Sequence, residues 1–325
     1  MTRKLGDLEV SALGLGFMSF VNPPDADEEK QATAVVDEAI ELGLTFFDTA
    51  DVYGPEHSEI LLGRAIRGRR DGLVIATKFG NTLDRTGLDS SPGYIRSAVE
   101  ASLRRLGTDH IDLYYQHRVD PAVPIEDTVG SLSELVRAGK VRHIGLSEPG
   151  PQTLRRAHAV HPITAIQNEW SLFSRQIEES TLGIARELGI GIVTYSPLGR
   201  GWLTGGVRSR DDLSGRRLAH PRFAEEVFAT NRQLADEVVE VAAEVGAEPG
   251  QVALAWVLSR GADVVPIPGT RNPAYLRSNV GALNVSLSPA QIERLEAIAS
   301  RVAGERALRP QNIGVEAPLP AGATA

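Results

Sequence analysis

Short apolar runs and segments of helical periodicity alternate along most of the chain. Each β-prone run, such as residues 44–47, is followed by a segment whose apolar residues recur near helical spacing. The uninterrupted apolar run from Leu73 to Ala76 is typical of a strand buried on both faces, as in a parallel sheet. Eight such strands are predicted, at residues 13–16, 45–48, 73–77, 111–115, 141–146, 163–166, 191–195 and 264–267. Eight strands that are each followed by a helix favour an α/β fold of the closed (β/α)8 TIM-barrel type over a two-domain doubly wound arrangement.

The segments at both ends add to this barrel. Residues 3–10 are predicted to form an N-terminal β-hairpin with its turn at Gly6-Asp7, and extra helices are predicted at 273–283 and 289–302. Residues 198–221 are rich in Gly, Arg and Asp and are predicted to be irregular. No linker divides the chain, so we expect one domain over 1–325, with a core at about 3–302 and a C-terminal tail at 303–325 that either crosses a barrel face or frays.

Composition narrows the function classes. A net charge of -8 and a pI near 5.5 argue against a nucleic-acid or anionic-membrane partner. The chain has no cysteine, which excludes disulfides, thiolate chemistry and sulfur-ligated metals. The N-terminus lacks the apolar core of a signal peptide, and no apolar segment approaches the length of a membrane span. We therefore expect a cytoplasmic protein.

Polar side chains stand where the predicted strands end, which is where a barrel builds its active site. The second strand ends at Asp48, and Tyr53 lies in the loop that follows. The third ends at Lys78 and the fourth at His117. Each residue alone has an ordinary structural explanation, such as a capping carboxylate or a solvated lysine. Because the strand ends converge on one mouth, the four together favour a chemical role.

The four side chains make chemical sense as a proton-donating site. A free tyrosine has a pKa of about 10, and a neighbouring ammonium such as Lys78 is expected to lower it. Asp48 can pair with Lys78, and His117 can hydrogen-bond a substrate oxygen or relay a proton. Such a site gives a proton to a carbonyl oxygen while hydride reaches the carbon. Since no side chain donates hydride, a cofactor must supply it.

The motifs around these residues resemble those of the aldo-keto reductases, in the bacterial branch that is also similar to potassium-channel β subunits. The resemblance runs from about residue 5 to residue 299. It implies that Tyr53 is the general acid/base, that Lys78 and Asp48 tune it, and that His117 orients the carbonyl. It also implies NADPH as the cofactor, bound extended across the barrel mouth without a Rossmann domain. The motifs that carry it lie at 48–54, 77–80, 112–117, 145–147, 167–169, 195–199 and 267–270.

The resemblance also implies cofactor contacts. Ser147, Gln167 and Asn168 would hydrogen-bond the nicotinamide carboxamide, and Tyr195 would stack on the ring. The remaining contacts are to the phosphates and the adenosine. They comprise Ser196, Leu198 and Arg200 at the pyrophosphate, Gly269, Thr270 and Arg271 at the adenosine phosphate, and Asn279 at the adenine. Arg271 would matter most for NADP over NAD, because a guanidinium suits a 2′-phosphate.

The leading hypothesis is a reversible, NADPH-dependent reduction of a small aldehyde or ketone to an alcohol. An alternative is an NADP-binding regulatory subunit with little turnover, as the resemblance to channel β subunits permits. A third reading, a metal-dependent barrel lyase or hydrolase, needs a cluster of ligands, whereas this mouth offers a single histidine. His158 and His161 have helical ligand spacing but no third ligand nearby, so no metal is expected. No oligomeric state is predicted.

Overall fold

A two-stranded hairpin precedes the barrel in the computed structural model, which describes residues 1–84, 86–320 and 322. Its strands, β1 (Thr2–Leu5) and β2 (Leu8–Ser11), are antiparallel, and Gly6 makes the turn with a φ of 55°. Glycine reaches this left-handed region without the steric cost that a Cβ would bring. The predicted hairpin is confirmed.

Among the described residues, eight parallel strands follow, and each pairs with the next in chain order. They are β3 (Leu15–Gly16), β4 (Phe46–Asp48), β5 (Val74–Phe79), β6 (Ile111–Gln116), β7 (Val141–Ser147), β8 (Ala165–Glu169), β9 (Gly191–Tyr195) and β10 (Val264–Pro266).

The first and last of these strands close the sheet into a barrel. Gly16 forms a parallel bridge with Gly269, and the Gly14 amide donates to the Pro266 carbonyl at 2.9 Å. A Cβ on Gly16 would lie 2.9 Å from the Ile267 carbonyl oxygen, so the strands can approach this closely only with glycine at the seam. The predicted (β/α)8 barrel is confirmed.

In the part of the chain that the structure describes, ten α-helices surround and follow the strands. They are α1 (Ala26–Glu41), α2 (His57–Ala65), α3 (Pro92–Leu106), α4 (Ile125–Arg137), α5 (Pro151–Val160), α6 (Leu182–Glu187), α7 (Glu225–Val245), α8 (Pro249–Leu258), α9 (Pro273–Gly281) and α10 (Pro289–Ala299). Between β9 and α7 the described residues form four short 3₁₀ helices, at Gly199–Thr204, Arg210–Asp212, Gly215–Arg217 and Pro221–Phe223. None of the described helices combines the length and the apolar character that a membrane crossing would need.

Two strands, β5 and β8, extend two or more residues further towards the mouth than their apolar runs predicted. β5 continues through Lys78 and Phe79, which pair with Tyr115 and Gln116 of β6. β8 was predicted at 163–166, but it begins at Ala165 and runs to Glu169, because its polar end pairs with β9. Backbone pairing with a neighbour therefore sets the strand end here, and hydrophobicity does not.

The barrel interior is filled by residues that alternate along the strands. Leu5, Leu8 and Val10 of the hairpin pack against them and cover the end of the barrel opposite the predicted mouth. The strand residues of this interior cluster include Phe46, Ala76, Leu113, Tyr115, Ala165, Val193 and Val265. Successive side chains of a strand point to opposite faces, so residues two positions further on also point inwards.

The C-terminal tail contacts the barrel as far as Pro318, whose carbonyl accepts a hydrogen bond from Arg156. The Gly150 amide donates to the Val315 carbonyl at 2.9 Å, and the Glu316 carboxylate accepts hydrogen bonds from Gln152 and Thr153 at the start of α5. The tail was expected either to cross a barrel face or to fray. This segment crosses a barrel face. Residue 321 and residues 323–325, which also fall in the predicted tail, lie outside the described residues.

Candidate active site

The inward-facing positions of the strands bring the predicted residues to one mouth. Asp48 lies two residues beyond Phe46, and Lys78 lies two beyond Ala76. His117 likewise follows Tyr115 by two residues, just past the end of β6. The period of two along each strand therefore places these three side chains at the carboxyl end of the barrel.

Asp48 and Lys78 form a buried ion pair at this end. The ammonium of Lys78 donates to Asp48 Oδ1 and, at 2.8 Å, to the Thr49 carbonyl. The Lys78 side chain has 0% exposure, and Asp48 Oδ2 accepts a hydrogen bond of 2.8 Å from Gln167 Nε2. Burial raises the pKa of Asp48, while Lys78 and Gln167 oppose that rise. Burial also acts to lower the pKa of Lys78, but Asp48 and Tyr53 outweigh it and the pKa is raised. Lys78 therefore keeps its charge.

Tyr53 lies beside this pair, in the loop after β4. Its ring centroid is 5.2 Å from Lys78 Nζ, and the His117 ring meets it edge-on with centroids 5.7 Å apart. The loop turns at Gly54, whose φ of 86° is again in the left-handed region. The four residues predicted from the strand ends are thus neighbours in the fold.

The net pKa of Tyr53 differs from the expectation. Burial raises it above the ordinary value of 10.0, and Lys78, which does lower it as expected, only partly offsets this. Asp48 raises it further, while Arg118 lowers it. The phenol consequently keeps its proton at neutral pH, which is the state that a proton donor needs.

Ser147, Gln167 and Asn168 lie at the ends of the adjoining strands β7 and β8. Ser147 Oγ donates to the Gln167 carbonyl at 2.9 Å, and Asn168 Nδ2 donates to Glu148 Oε2 at 3.2 Å. Asn168 Oδ1 is buried and has no hydrogen-bond partner among the residues that the structure describes. A buried acceptor without a partner is costly, and the N–H of a carboxamide would satisfy it. These side chains therefore fit a nicotinamide group.

Tyr195, the predicted stacking residue, is tied to a carboxylate that the sequence interpretation did not select. Its hydroxyl donates to Glu148 Oε1 at 2.9 Å, and the Arg118 guanidinium lies 5.9 Å from its ring centroid. Burial and the nearby Glu148 raise the pKa of Tyr195 well above its ordinary value, so its hydroxyl is a hydrogen-bond donor.

Three residues at this mouth were missed. Glu148 is buried and also binds Arg306 Nη2 at 2.7 Å, so the C-terminal tail reaches the strand end. Arg118 Nη1 donates to Ser147 Oγ at 2.9 Å. Glu148 and Arg118 directly follow predicted strand-end residues, and that adjacency is the signal that could have found them. No local pattern marks Arg306.

The predicted pyrophosphate residues lie in the segment after β9. Ser196 and Arg200 have φ values of 50° and 58°, which are uncommon for residues that carry a Cβ. Arg200 Nη2 donates to Glu169 Oε2 at 3.2 Å, so its guanidinium is partly engaged within the protein. Leu198 begins the first 3₁₀ helix as its N-cap. Strained backbone of this kind persists only where the surroundings hold it, and it occurs at ligand sites.

The predicted adenosine-phosphate residues lie across the barrel seam, after β10. Gly269 forms the seam bridge, and Thr270 Oγ1 accepts from the Asn272 amide at 3.0 Å. Asn279 is buried on α9. Arg271 is held by side chains of α1, including Glu28 at 2.6 Å. Among the described residues, no group of three or more His, Asp or Glu side chains is placed to hold a metal ion.

Comparison with known proteins shows the family of this chain. Residues 12–300 match the Aldo/keto reductase family, and the chain belongs to that family. It is therefore an oxidoreductase of carbonyl groups that works with a nicotinamide cofactor on small molecules.

Individual relatives cover nearly all of the chain. The probable aldo-keto reductase 1 of Glycine max is 49% identical over 300 residues, which is 90% of this chain and 87% of that protein. The glycerol dehydrogenase of Gluconobacter oxydans is 28% identical, with a TM-score of 0.84 over 100% of this chain and 99% of that one. An aldo-keto reductase of Bacillus halodurans, solved in its holo form, is 29% identical, with a TM-score of 0.76 over 92% and 96%.

Proposed function

We propose that this protein reduces an aldehyde or a ketone to an alcohol with NADPH, reversibly, and that Tyr53 donates the proton. The observation that carries the proposal is the contact of Tyr53 with both the buried Lys78 ammonium, 5.2 Å from its ring centroid, and the edge of His117. A phenol that keeps its proton, next to a cation and an imidazole, is suited to protonating a carbonyl oxygen.

The roles of the four residues follow from their contacts. When it is bound, the nicotinamide supplies hydride to the carbonyl carbon. Tyr53 gives its phenolic proton to the carbonyl oxygen, and Lys78 stabilises the phenolate that this leaves behind. Asp48 keeps Lys78 charged and in position through their ion pair. His117 orients the carbonyl by hydrogen-bonding its oxygen. In the reverse direction the Tyr53 phenolate takes the proton of the alcohol.

The cofactor would lie across the mouth from β7 to α9. Gln167, Asn168 and Ser147 would hold the carboxamide, and Tyr195 would stack on the nicotinamide ring. The pyrophosphate would lie on the segment after β9, where Ser196, Leu198 and Arg200 stand. Gly269, Thr270 and Arg271 would hold the adenosine phosphate, with Asn279 at the adenine.

Titration of the purified protein with NADPH and with NADH tests the proposal. The tryptophans report binding through fluorescence, because Trp202 lies in the 3₁₀ helix Gly199–Thr204 of the proposed pyrophosphate segment. We expect saturable quenching by NADPH, tighter than by NADH, followed by oxidation of NADPH when small aldehydes and ketones are added. Binding without turnover of any carbonyl would favour a regulatory subunit. Absence of binding by both cofactors would refute the proposal.

A further inference from the structure

Arg271, the proposed 2′-phosphate ligand, is extensively engaged by its own protein. Its Nε donates to Gln31 Oε1 at 3.0 Å, and its Nη2 donates to Glu28 Oε1 at 2.6 Å and also to Gln31. Its Nη1 donates to the Ser19 carbonyl at 3.3 Å, and its guanidinium lies 5.2 Å from the Phe20 ring centroid. Helix α1 and the segment before it therefore hold this side chain.

The donors of the guanidinium are nearly exhausted by these contacts. An arginine has five N–H groups, and Arg271 makes four hydrogen bonds to described residues, two to Gln31, one to Glu28 and one to Ser19. A bidentate contact to a phosphate needs two parallel N–H donors. Arg271 can offer two to a 2′-phosphate only by releasing a partner on α1.

Glu28 is the charged member of this set. It is buried at 8% exposure, and its Oε1 also accepts a hydrogen bond of 2.6 Å from Asn22. The hydrogen bond from Arg271 is the largest of the influences that leave the pKa of Glu28 below its ordinary value. Glu28 is thus a carboxylate at neutral pH, and its buried Oε2 has no hydrogen-bond partner among the described residues.

A carboxylate beside the guanidinium has different effects on the binding of NADPH and of NADH. The 2′-phosphate of NADPH carries negative charge and would be repelled by a carboxylate a few ångströms away. The 2′-hydroxyl of NADH is neutral and can donate a hydrogen bond to an acidic side chain, as in dinucleotide sites that prefer NAD. Glu28 therefore opposes the preference for NADPH over NADH that Arg271 alone would give.

We propose that Glu28 is a selectivity-determining residue that lowers the preference of this protein for NADPH over NADH, by holding Arg271 and by opposing the charge of the 2′-phosphate. This inference rests on the proposed function, because it assumes that Arg271 receives the 2′-phosphate. Gln31 holds the same guanidinium but carries no charge itself. It therefore positions Arg271 and does not repel the 2′-phosphate.

The test is the ratio of the two dissociation constants in the variant Glu28→Gln, measured by fluorescence titration. The amide keeps the shape and an oxygen acceptor for Arg271 but removes the negative charge. We expect NADPH to bind about tenfold more tightly, as removal of a nearby like charge allows, while NADH binding is unchanged or weaker. Glu29→Gln is the matched control, since its carboxylate lies on the same helix and pairs with the exposed Arg64 at 3.0 Å. It should leave the ratio unchanged.

Two further measurements isolate the 2′-phosphate. Displacement of the bound cofactor by 2′,5′-ADP and by 5′-AMP compares two ligands that differ only in the 2′-phosphate. Only 2′,5′-ADP should bind more tightly to Glu28→Gln than to the unaltered protein. In an Arg271→Ala background the gain should largely disappear, because the two residues act on one group. A ratio that Glu28→Gln does not change, or an equal loss of affinity for both cofactors, would overturn the inference.

The outcomes also separate this inference from the proposed function. If the unaltered protein binds neither cofactor, both fail. If Arg271→Ala weakens NADPH and NADH equally, the 2′-phosphate role of Arg271 fails and the inference fails with it, whereas the reductase proposal stands. If Arg271→Ala selectively weakens NADPH but Glu28→Gln changes nothing, only the role of Glu28 is refuted.

Discussion

Gln167 Nε2 donates a hydrogen bond of 2.8 Å to Asp48 Oδ2, although the two residues are 119 positions apart in the chain. Asp48 belongs to the proposed proton-donating group, and Gln167 belongs to the proposed carboxamide site. The bond therefore joins the two halves of the site directly, inside a barrel where both side chains are buried.

The contribution of this hydrogen bond should be measurable as a change in the free energy of unfolding. Gln167→Leu removes the donor and leaves one oxygen of a buried carboxylate without its partner. A hydrogen bond to a charged group is worth about 1.5–3 kcal/mol, so we expect the free energy of unfolding in urea to fall by about that amount. Gln152→Leu, an exposed position on α5, is the control. Equal stability of the Gln167 variant and the unaltered protein would show that Asp48 does not depend on this bond.

The raised pKa of Tyr53 predicts opposite pH profiles for the two directions of reaction. Reduction needs the protonated phenol, so its kcat should stay level from about pH 7 to 9 and fall only as pH rises through a value above the ordinary 10.0. Alcohol oxidation needs the phenolate, so its rate should increase with pH over the same range. Steady-state kinetics in both directions check this. A reduction rate that declines steadily above neutrality would mean that Lys78 outweighs burial after all.

Glu316 should anchor the C-terminal tail. The carboxylate accepts from the Gln152 amide at 3.0 Å and from the amide and hydroxyl of Thr153, both at 2.6 Å, while the N-cap residue of α5, Gly150, has no capping side chain. Glu316→Ala removes this cap, and caps contribute about 0.5–2 kcal/mol. We expect a loss of unfolding free energy in that range, together with faster proteolysis of the tail. The matched control is Glu293→Ala, on an exposed position of α10, which should change neither.

Much of the fold was predictable because local pattern and global architecture agree. Short runs rich in apolar residues marked the eight strands, and glycine after a helical segment marked where several helices stop, as at Gly107 with its φ of 65°. The strand ends were predicted less well. Lys78 and Gln167 lie within strands because backbone pairing continues past the apolar residues, and hydrophobicity alone carries no signal of that.

The residues of the site likewise divide into those that the sequence could predict and those that it could not. Asp48, Tyr53, Lys78 and His117 each lie at the carboxyl end of a recognisable strand or in the loop after it, so their convergence followed from barrel geometry. Arg306 lies 158 positions from Glu148, in a tail without periodicity, and its contact depends on how the whole chain packs. The pKa of Tyr53 was also beyond sequence reasoning, because it is the balance of burial against charge and both depend on the three-dimensional surroundings.

The variant Tyr53→Phe tests whether Tyr53 is the proton donor. Phenylalanine keeps the ring that packs against His117 and removes only the hydroxyl. We expect NADPH to bind as before, while carbonyl reduction falls by roughly 10²–10⁴-fold, the usual contribution of general acid catalysis. Tyr275→Phe, at a position 65% exposed on α9, should retain full activity. Reduction at an undiminished rate in Tyr53→Phe, with binding intact, would show that another group donates the proton.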